Sequence, residues 1–108
     1  MSEKRDPFLQ LLGICRISSH VEAGEERCES AVKSGKACLV ILSEDASANT
    51  RKKFHDKCSF YQIPILDVPY GKEQLGMAMG MSQRSCLAVT DRGLTEKMQK
   101  IIAMMGDK

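Results

Sequence analysis

Tryptophan is absent, and Phe and Tyr supply only 3 and 2 of the 108 residues. A hydrophobic core must therefore be built from Leu, Ile, Val, Ala and the seven Met residues. No apolar run approaches the roughly 18 to 20 residues of a membrane span. The opening stretch, MSEKRDPF, is polar and lacks the apolar segment of a secretory signal, so the expected location is cytoplasmic, with no membrane partner. Cysteine pairs with C-x-x-C spacing are also missing. The five cysteines stand at 15, 28, 38, 58 and 86, an odd and scattered set that suggests neither a disulfide framework nor a zinc site. Reduced thiols, no metal and no cofactor are the expectation. A marked excess of either charge is absent: 16 Lys and Arg against 14 Asp and Glu leave +2. Such a balance singles out no partner; the placement of the charges must decide.

What is present is ordinary for a folded chain. Hydrophobic residues make up 43% and charged residues 28%, the profile of a globular protein rather than a disordered one. The length fits one domain, residues 1–108, with one hydrophobic core. There is no internal repeat, long linker or low-complexity segment.

The apolar pattern alternates between helices and strands. In PFLQLLGICRI, Asp6 is placed to cap a helix and Pro7 occupies its first position. Phe8, Leu11, Leu12 and Cys15 then fall on one face. SSHVEAG breaks that helix, with a short strand around Val21. EERCESAVKSG predicts a second helix with Cys28, Ala31 and Val32 facing inward and Gly35 as its C-terminal cap. The run ACLVIL has strand length and suggests a strand covered on both faces. ASANTRKKFHDKCSFYQ predicts a helix capped by Ser47, with Thr50, Phe54, Cys58 and Tyr61 on its apolar side. IPILDV reads as a second buried strand, GKEQLGMAMGM as a short helix, and CLAVT as a third clear strand. DRGLTEKMQKIIAMM predicts a terminal helix with Leu94, Met98, Ile101, Ile102 and Met105 on one side. The alternation predicts an α/β fold, a three-layer α/β/α sandwich.

Catalytic chemistry finds little support. Glu25 and Glu26 sit in the first turn of the second helix, where carboxylates favour the dipole. Glu44 and Asp45 leave a strand and precede a capped helix, with no nucleophile or base beside them. His55 and Cys58 stand three apart, without a third group to orient them, and His20 reads as a loop residue. Arg51, Lys52, Lys53 and Lys57 read as a solvated basic face. Met77, Met79 and Met81 read as packing or loop residues.

Four segments nevertheless occur in a recognisable order: AGEERCESAVKSGKACLVILSEDAS, CSFYQIPILDV, EQLGMAMG and CLAVTDRG. Together they resemble the ribosomal protein L7Ae superfamily, in particular its short bacterial YlxQ-like branch, over about residues 8–98. The most specific pieces are G-x(10)-G-K-A at Gly24, Gly35, Lys36 and Ala37, S-E-D-A-S at 43–47, and L-G-x-x-x-G at Leu75, Gly76 and Gly80. The resemblance implies a mixed sheet of about four strands, no enzymatic activity, and a structured RNA as partner, typically the sharply bent kink-turn, in the ribosome or another ribonucleoprotein. It implies an RNA surface formed by the start of the second helix, the exit of the first long strand and the loop before the last strand. The residues this marks are Gly24, Glu25, Glu26, Arg27, Ser30, Lys33, Lys36, Glu44, Asp45, Met81, Ser82, Gln83, Arg84 and Ser85. A monomer is expected.

The chain departs from the family at one informative place. RNA-binding members carry Asn, Glu and Lys where this sequence has Glu26, Arg27 and Ser30, and the bacterial branch generally keeps the Lys that Ser30 replaces. Glu25 and Glu26 match the bacterial branch. Two functions follow from the resemblance: an RNA-binding module, or a protein-interaction module of the ribosome or of the transcription and translation machinery that has lost kink-turn specificity.

Overall fold

The computed structural model describes residues 6–106; the polar opening stretch, residues 1–5, lies outside them. The described chain runs α1 (Pro7–Ile17), β1 (Val21–Ala23), α2 (Glu25–Lys33), β2 (Leu39–Leu42), α3 (Ala48–Tyr61), β3 (Ile65–Asp67), α4 (Lys72–Ala78), β4 (Cys86–Val89) and α5 (Arg92–Gly106). The strands form one sheet in the order β1-β4-β2-β3. β4 is antiparallel to both β1 and β2, whereas β3 runs parallel to β2. The sheet is therefore mixed, and helices cover both of its faces.

The two-residue period of a strand divides its side chains between the two faces. Leu39 and Ile41 of β2 join Leu87 and Val89 of β4 in a core with Phe8, Leu12, Leu75 and Met98, contributed by α1, α4 and α5. Val40 and Leu42 join Cys86 and Ala88 in a second core with Cys28, Val32, Phe54 and Cys58, from α2 and α3. The uninterrupted run from Leu39 to Leu42 is thus apolar because both of its faces are dry. Burying each such large side chain contributes about 1.5 to 3 kcal/mol relative to leaving it in water.

Local signals fix the helix ends as expected. Asp6 Oδ1 accepts hydrogen bonds from the Phe8 and Leu9 amides at 2.9 and 3.1 Å. Its other oxygen accepts the Tyr70 hydroxyl at 2.7 Å, and the Tyr70 ring stacks on Phe8 at 5.4 Å. Burial and the nearby Asp6 carboxylate push the Tyr70 hydroxyl well above its ordinary pKa. Ser47 Oγ accepts from the Thr50 amide at 3.1 Å. At the end of α2, the Gly35 amide donates to Val32 and the Lys36 amide to Ala31, the paired bonds of a Schellman ending.

Three expectations need correction. IPILDV is not a buried strand: β3 is an edge strand, its Ile65 and Leu66 are half-buried and Asp67 is exposed. Parallel pairing on one side only leaves the other side of β3 open. Tyr61 does not continue the buried face of α3; it makes an edge-to-face pair with exposed Phe60. Met105 is exposed rather than buried, although its sulfur reaches the Tyr70 hydroxyl at 3.8 Å. Of the Met77, Met79 and Met81 series, only Met79 is buried. All five cysteines are unpaired thiols. Burial pushes Cys15 and Cys58 up to about 11, which keeps both protonated and unreactive at neutral pH. Among the described residues no helix is long and apolar enough to cross a membrane.

Candidate nucleic-acid interface

The start of β4 gathers three segments at one end of the sheet. The Gly24 amide donates to the Cys86 carbonyl at 2.9 Å, and the Ser43 amide to the Ser85 carbonyl at 3.0 Å. The start of α2, the exit of β2 and the 81–85 loop are therefore neighbours. Gly24 precedes α2 at φ +104, a backbone conformation that side-chain-bearing residues rarely adopt, and no side chain caps the helix. The first amides of α2 are left available to an external acceptor.

The 81–85 loop is pinned rather than loose. The Met81 amide bonds to Gly76 and the Arg84 amide to Lys72, at 2.9 and 3.0 Å. Arg84 Nη1 donates to the Ser82 carbonyl, the Ser82 hydroxyl and the Gln83 carbonyl at 3.1, 2.7 and 3.0 Å. Gly76 makes this close docking possible, because a Cβ there would lie 2.1 Å from the Ser82 carbonyl oxygen.

A run of adjoining clefts crosses the outer side of α2 and passes round β1. The first is lined by Glu26, Ser30, Lys33 and Ser34, with Glu29. The next, of about 270 Å³, shares Ser30 and Ser34 with it and adds Glu22, Arg27 and Lys36. The third, of about 330 Å³, shares Glu22 and Arg27 and adds Arg16, Met81 and Arg84. Glu26 and Arg84 are thereby joined through Arg27 on one continuous surface, which also holds Ser30, Lys33, Lys36 and Met81. Arg27 Nη1 lies 3.2 Å from Glu22 Oε1. Among the described residues the Glu26 carboxylate and the Lys36 ammonium have no hydrogen-bond or ion-pair partner.

Other marked residues are turned elsewhere. Glu25 Oε2 accepts the Thr50 hydroxyl at 2.6 Å, and its other oxygen lies 3.6 Å from Lys53. Asp45 Oδ1 accepts the Ser43 hydroxyl at 2.7 Å and the Lys72 amide at 3.0 Å. These bonds, the Ser43 hydroxyl foremost, hold the Asp45 carboxyl below its usual pKa, so Asp45 serves the first turn of α4. Glu44 and the side chains of Ser82 and Gln83 are exposed at the gathered end of the sheet, and Ser85 is half-buried there.

The basic face of α3 is not bare. Lys53 and Lys57 reach Glu29 at 3.0 and 3.3 Å, and Lys33 reaches the same carboxylate at 3.4 Å. The hydrogen bonds from Lys53 and Lys57 lower the Glu29 pKa from 4.5 to about 2. Arg51 pairs with Asp67, as does His55, and Lys52 with Asp56. Among the described residues, Arg16 is a cation lining these clefts that the sequence did not mark. Its signal was available: the buried face of α1 ends at Cys15, and β1 begins soon after, which returns the chain beside Arg16.

The comparisons place this geometry in a family. Residues 8–99 match the model of the "Ribosomal protein L7Ae/L30e/S12e/Gadd45 family". The chain belongs to this family. It is 37% identical over 95 residues to "RNA-binding protein YlxQ" of Bacillus subtilis (strain 168), covering 88% of this chain and 94% of that protein. The protein of the same name from Enterococcus faecium is 28% identical over 98 residues, covering 91% and 93%. The membership is thus in the bacterial YlxQ-like branch. A solved Bacillus halodurans protein of unknown function superimposes with a TM-score of 0.85 at 40% identity, covering 89% of this chain and 96% of its own. The Giardia lamblia 15.5kD RNA binding protein shares the fold at a TM-score of 0.76 and 19% identity, covering 98% and 89%. The relatives carry binding rather than catalytic descriptions, in agreement with the expectation of a non-enzymatic chain.

Proposed function

We infer that this chain is an RNA-binding protein that recognises a bent, kink-turn-like RNA as a cytoplasmic monomer within a ribonucleoprotein. The observation that carries the reading is the continuous run of clefts from the unpaired Glu26 carboxylate, past Ser30 and Arg27, to Met81 and Arg84. The RNA-binding YlxQ relatives supply the class of partner.

Each group has a role suited to its chemistry. An ionised carboxylate only accepts hydrogen bonds, so Glu26 is matched to the N–H donors of a base edge. Arg27, Lys36 and Arg84 are matched to phosphates, which position the RNA without reading its sequence. The uncapped start of α2 after Gly24 offers backbone amides to a further phosphate. The pinned 81–85 loop brings half-buried Met81 against a base or sugar at little ordering cost.

The test is a gel shift with a kink-turn RNA and a straight duplex, using wild type and Glu26→Lys. The expected result is preference for the bent RNA in wild type. In the variant, affinity for the duplex rises and the preference disappears. Equal affinity for both RNAs in wild type would overturn kink-turn recognition. Absence of binding to either would favour the protein-interaction reading, which the loss of the family Lys at Ser30 independently supports.

A further inference from the structure

The third cleft, which lies beside the edge strand β1, is built from both helical layers. Arg16 comes from α1, on one face of the sheet, and Arg27 from α2, on the other. Arg84 closes the cleft from the 81–85 loop, and Val21 with Met81 gives it an apolar lining. Three guanidiniums there meet one carboxylate, Glu22, an excess of two positive charges. Arg27 is held by Glu22, and Arg84 by the carbonyls of its own loop. The Arg16 side chain is exposed, and its guanidinium has no hydrogen-bond or ion-pair partner among the described residues.

We propose that Arg16 binds a phosphodiester of the RNA strand as it passes round the β1 edge, extending the interface from α2 onto α1. This rests on the RNA-binding reading above. A guanidinium presents a planar fork of N–H donors that matches phosphate oxygens bidentately. Arg27 and Arg84 each engage only Nη1 in these bonds and keep other N–H groups for phosphate, whereas the Arg16 guanidinium is free to turn as a whole toward a ligand. A volume of about 330 Å³ lies near the lower end of small-ligand pockets, roughly 300 Å³. It suits a single nucleotide unit rather than a helical groove. Met81, a flexible and polarisable side chain, can pack against the sugar or base beside that phosphate. The placement also compensates for chemistry lost elsewhere: Ser30 removes a cation from the outer side of α2, and Arg16 supplies one on the far side of β1.

The experiment measures dissociation constants for a kink-turn RNA oligonucleotide by fluorescence anisotropy between 50 and 200 mM salt. Wild type, Arg16→Gln and Lys52→Gln are compared. Lys52 lies on α3, whose Arg51 and His55 contact β3 at the other edge of the sheet. One lost phosphate contact lowers the slope of log affinity against log salt by about 0.7 to 0.9. Taken from a 1 M reference with a slope change of about 0.9, Arg16→Gln weakens binding about 15-fold at 50 mM and about 4-fold at 200 mM. Lys52→Gln leaves the slope unchanged. An Arg16→Gln slope equal to wild type refutes the proposal while the RNA-binding reading stands, and an equal drop in Lys52→Gln refutes it as diffuse attraction. Failure of wild type to bind the RNA removes both.

Discussion

Replacing Gly76 by Ala sets helix propensity against packing at one atom. In an exposed helix interior the change stabilises by about 1 kcal/mol, because Ala has less chain freedom to lose than Gly. At Gly76 the added Cβ meets the backbone of the 81–85 loop: the Ser82 carbonyl oxygen at 2.1 Å, the Ser82 carbonyl carbon at 2.7 Å and the Gln83 Cα at 2.9 Å. No rotamer change relieves a contact with backbone, so the loop must move outward by about 1 Å to reach ordinary carbon–oxygen separation. That displacement works against the bonds from the Met81 amide to Gly76 and from the Arg84 amide to Lys72, each worth about 0.5 to 1.5 kcal/mol. Overpacking of this kind typically costs about 1 to 3 kcal/mol. A clash with backbone puts this site in the upper half of that range, about 2 to 3 kcal/mol, so after the propensity gain a net loss of about 1 to 2 kcal/mol remains. For a chain of this size each kcal/mol moves Tm by roughly 4 to 8 °C, so thermal denaturation followed by circular dichroism should show a Tm about 5 to 10 °C lower. An unchanged or raised Tm would show that the loop yields without cost and would refute its description as a pinned element.

Two further outcomes follow from the same surface. Ser30→Lys restores a cation between the first two clefts; a charge-assisted hydrogen bond contributes about 1.5 to 3 kcal/mol, so affinity for a kink-turn RNA should rise at least about tenfold, with a salt slope steeper by up to about one, and filter binding across a salt series measures both. Glu29 has a folded pKa of about 2 against an ordinary 4.5, so its contribution to stability is complete above about pH 5 and is lost as pH falls from 4.5 toward 2; the urea midpoint of wild type should exceed that of Glu29→Gln at pH 7, with the gap narrowed to less than about half by pH 3, and a gap that stays constant would show that the lysine contacts do not stabilise the fold.

Most of the fold was legible because its signals are local. Asp6, Ser47 and Gly35 act as helix ends in ways that depend on their immediate neighbours. The unbroken apolar run of β2 could be read because burial on both faces removes alternation from the sequence. The status of IPILDV was harder to read. Its Ile and Leu content is that of a buried strand, and only the sheet order, a non-local property, puts β3 at an edge. Tyr61 falls at a helical repeat of Phe54 and Cys58, but it is the last residue of α3, before Gln62 ends the helix in the left-handed conformation, and its ring pairs with exposed Phe60 instead.

The candidate surface was less legible because a side chain's neighbours across the fold decide whether it is free. The sequence places Glu25, Glu26 and Glu29 on the same short helix, with equal claim to face a ligand. The structure gives Glu25 to Thr50 and Lys53, and Glu29 to three lysines. These carboxylates tie α2 to α3 and neutralise Lys53 and Lys57, two of the four cations that make α3 look basic in sequence. Asp45 is likewise used by α4. Glu26 alone among the α2 carboxylates keeps its acceptors unpaired, and it does so in the cleft that adjoins Ser30. The acids at the head of α2 therefore divide by physical role. Two supply cohesion between helices, which any partner would leave in place. The third is a free acceptor on a surface whose cations extend through Arg27 and Lys36 to Arg84 and Arg16. A free acceptor flanked by these cations gains nothing from a nucleic-acid backbone, whose phosphates repel it. Its place in the first turn of α2 already suits the helix dipole; under the RNA-binding reading proposed above, an exposed base edge in a bent RNA would supply the N–H donors that this carboxylate accepts.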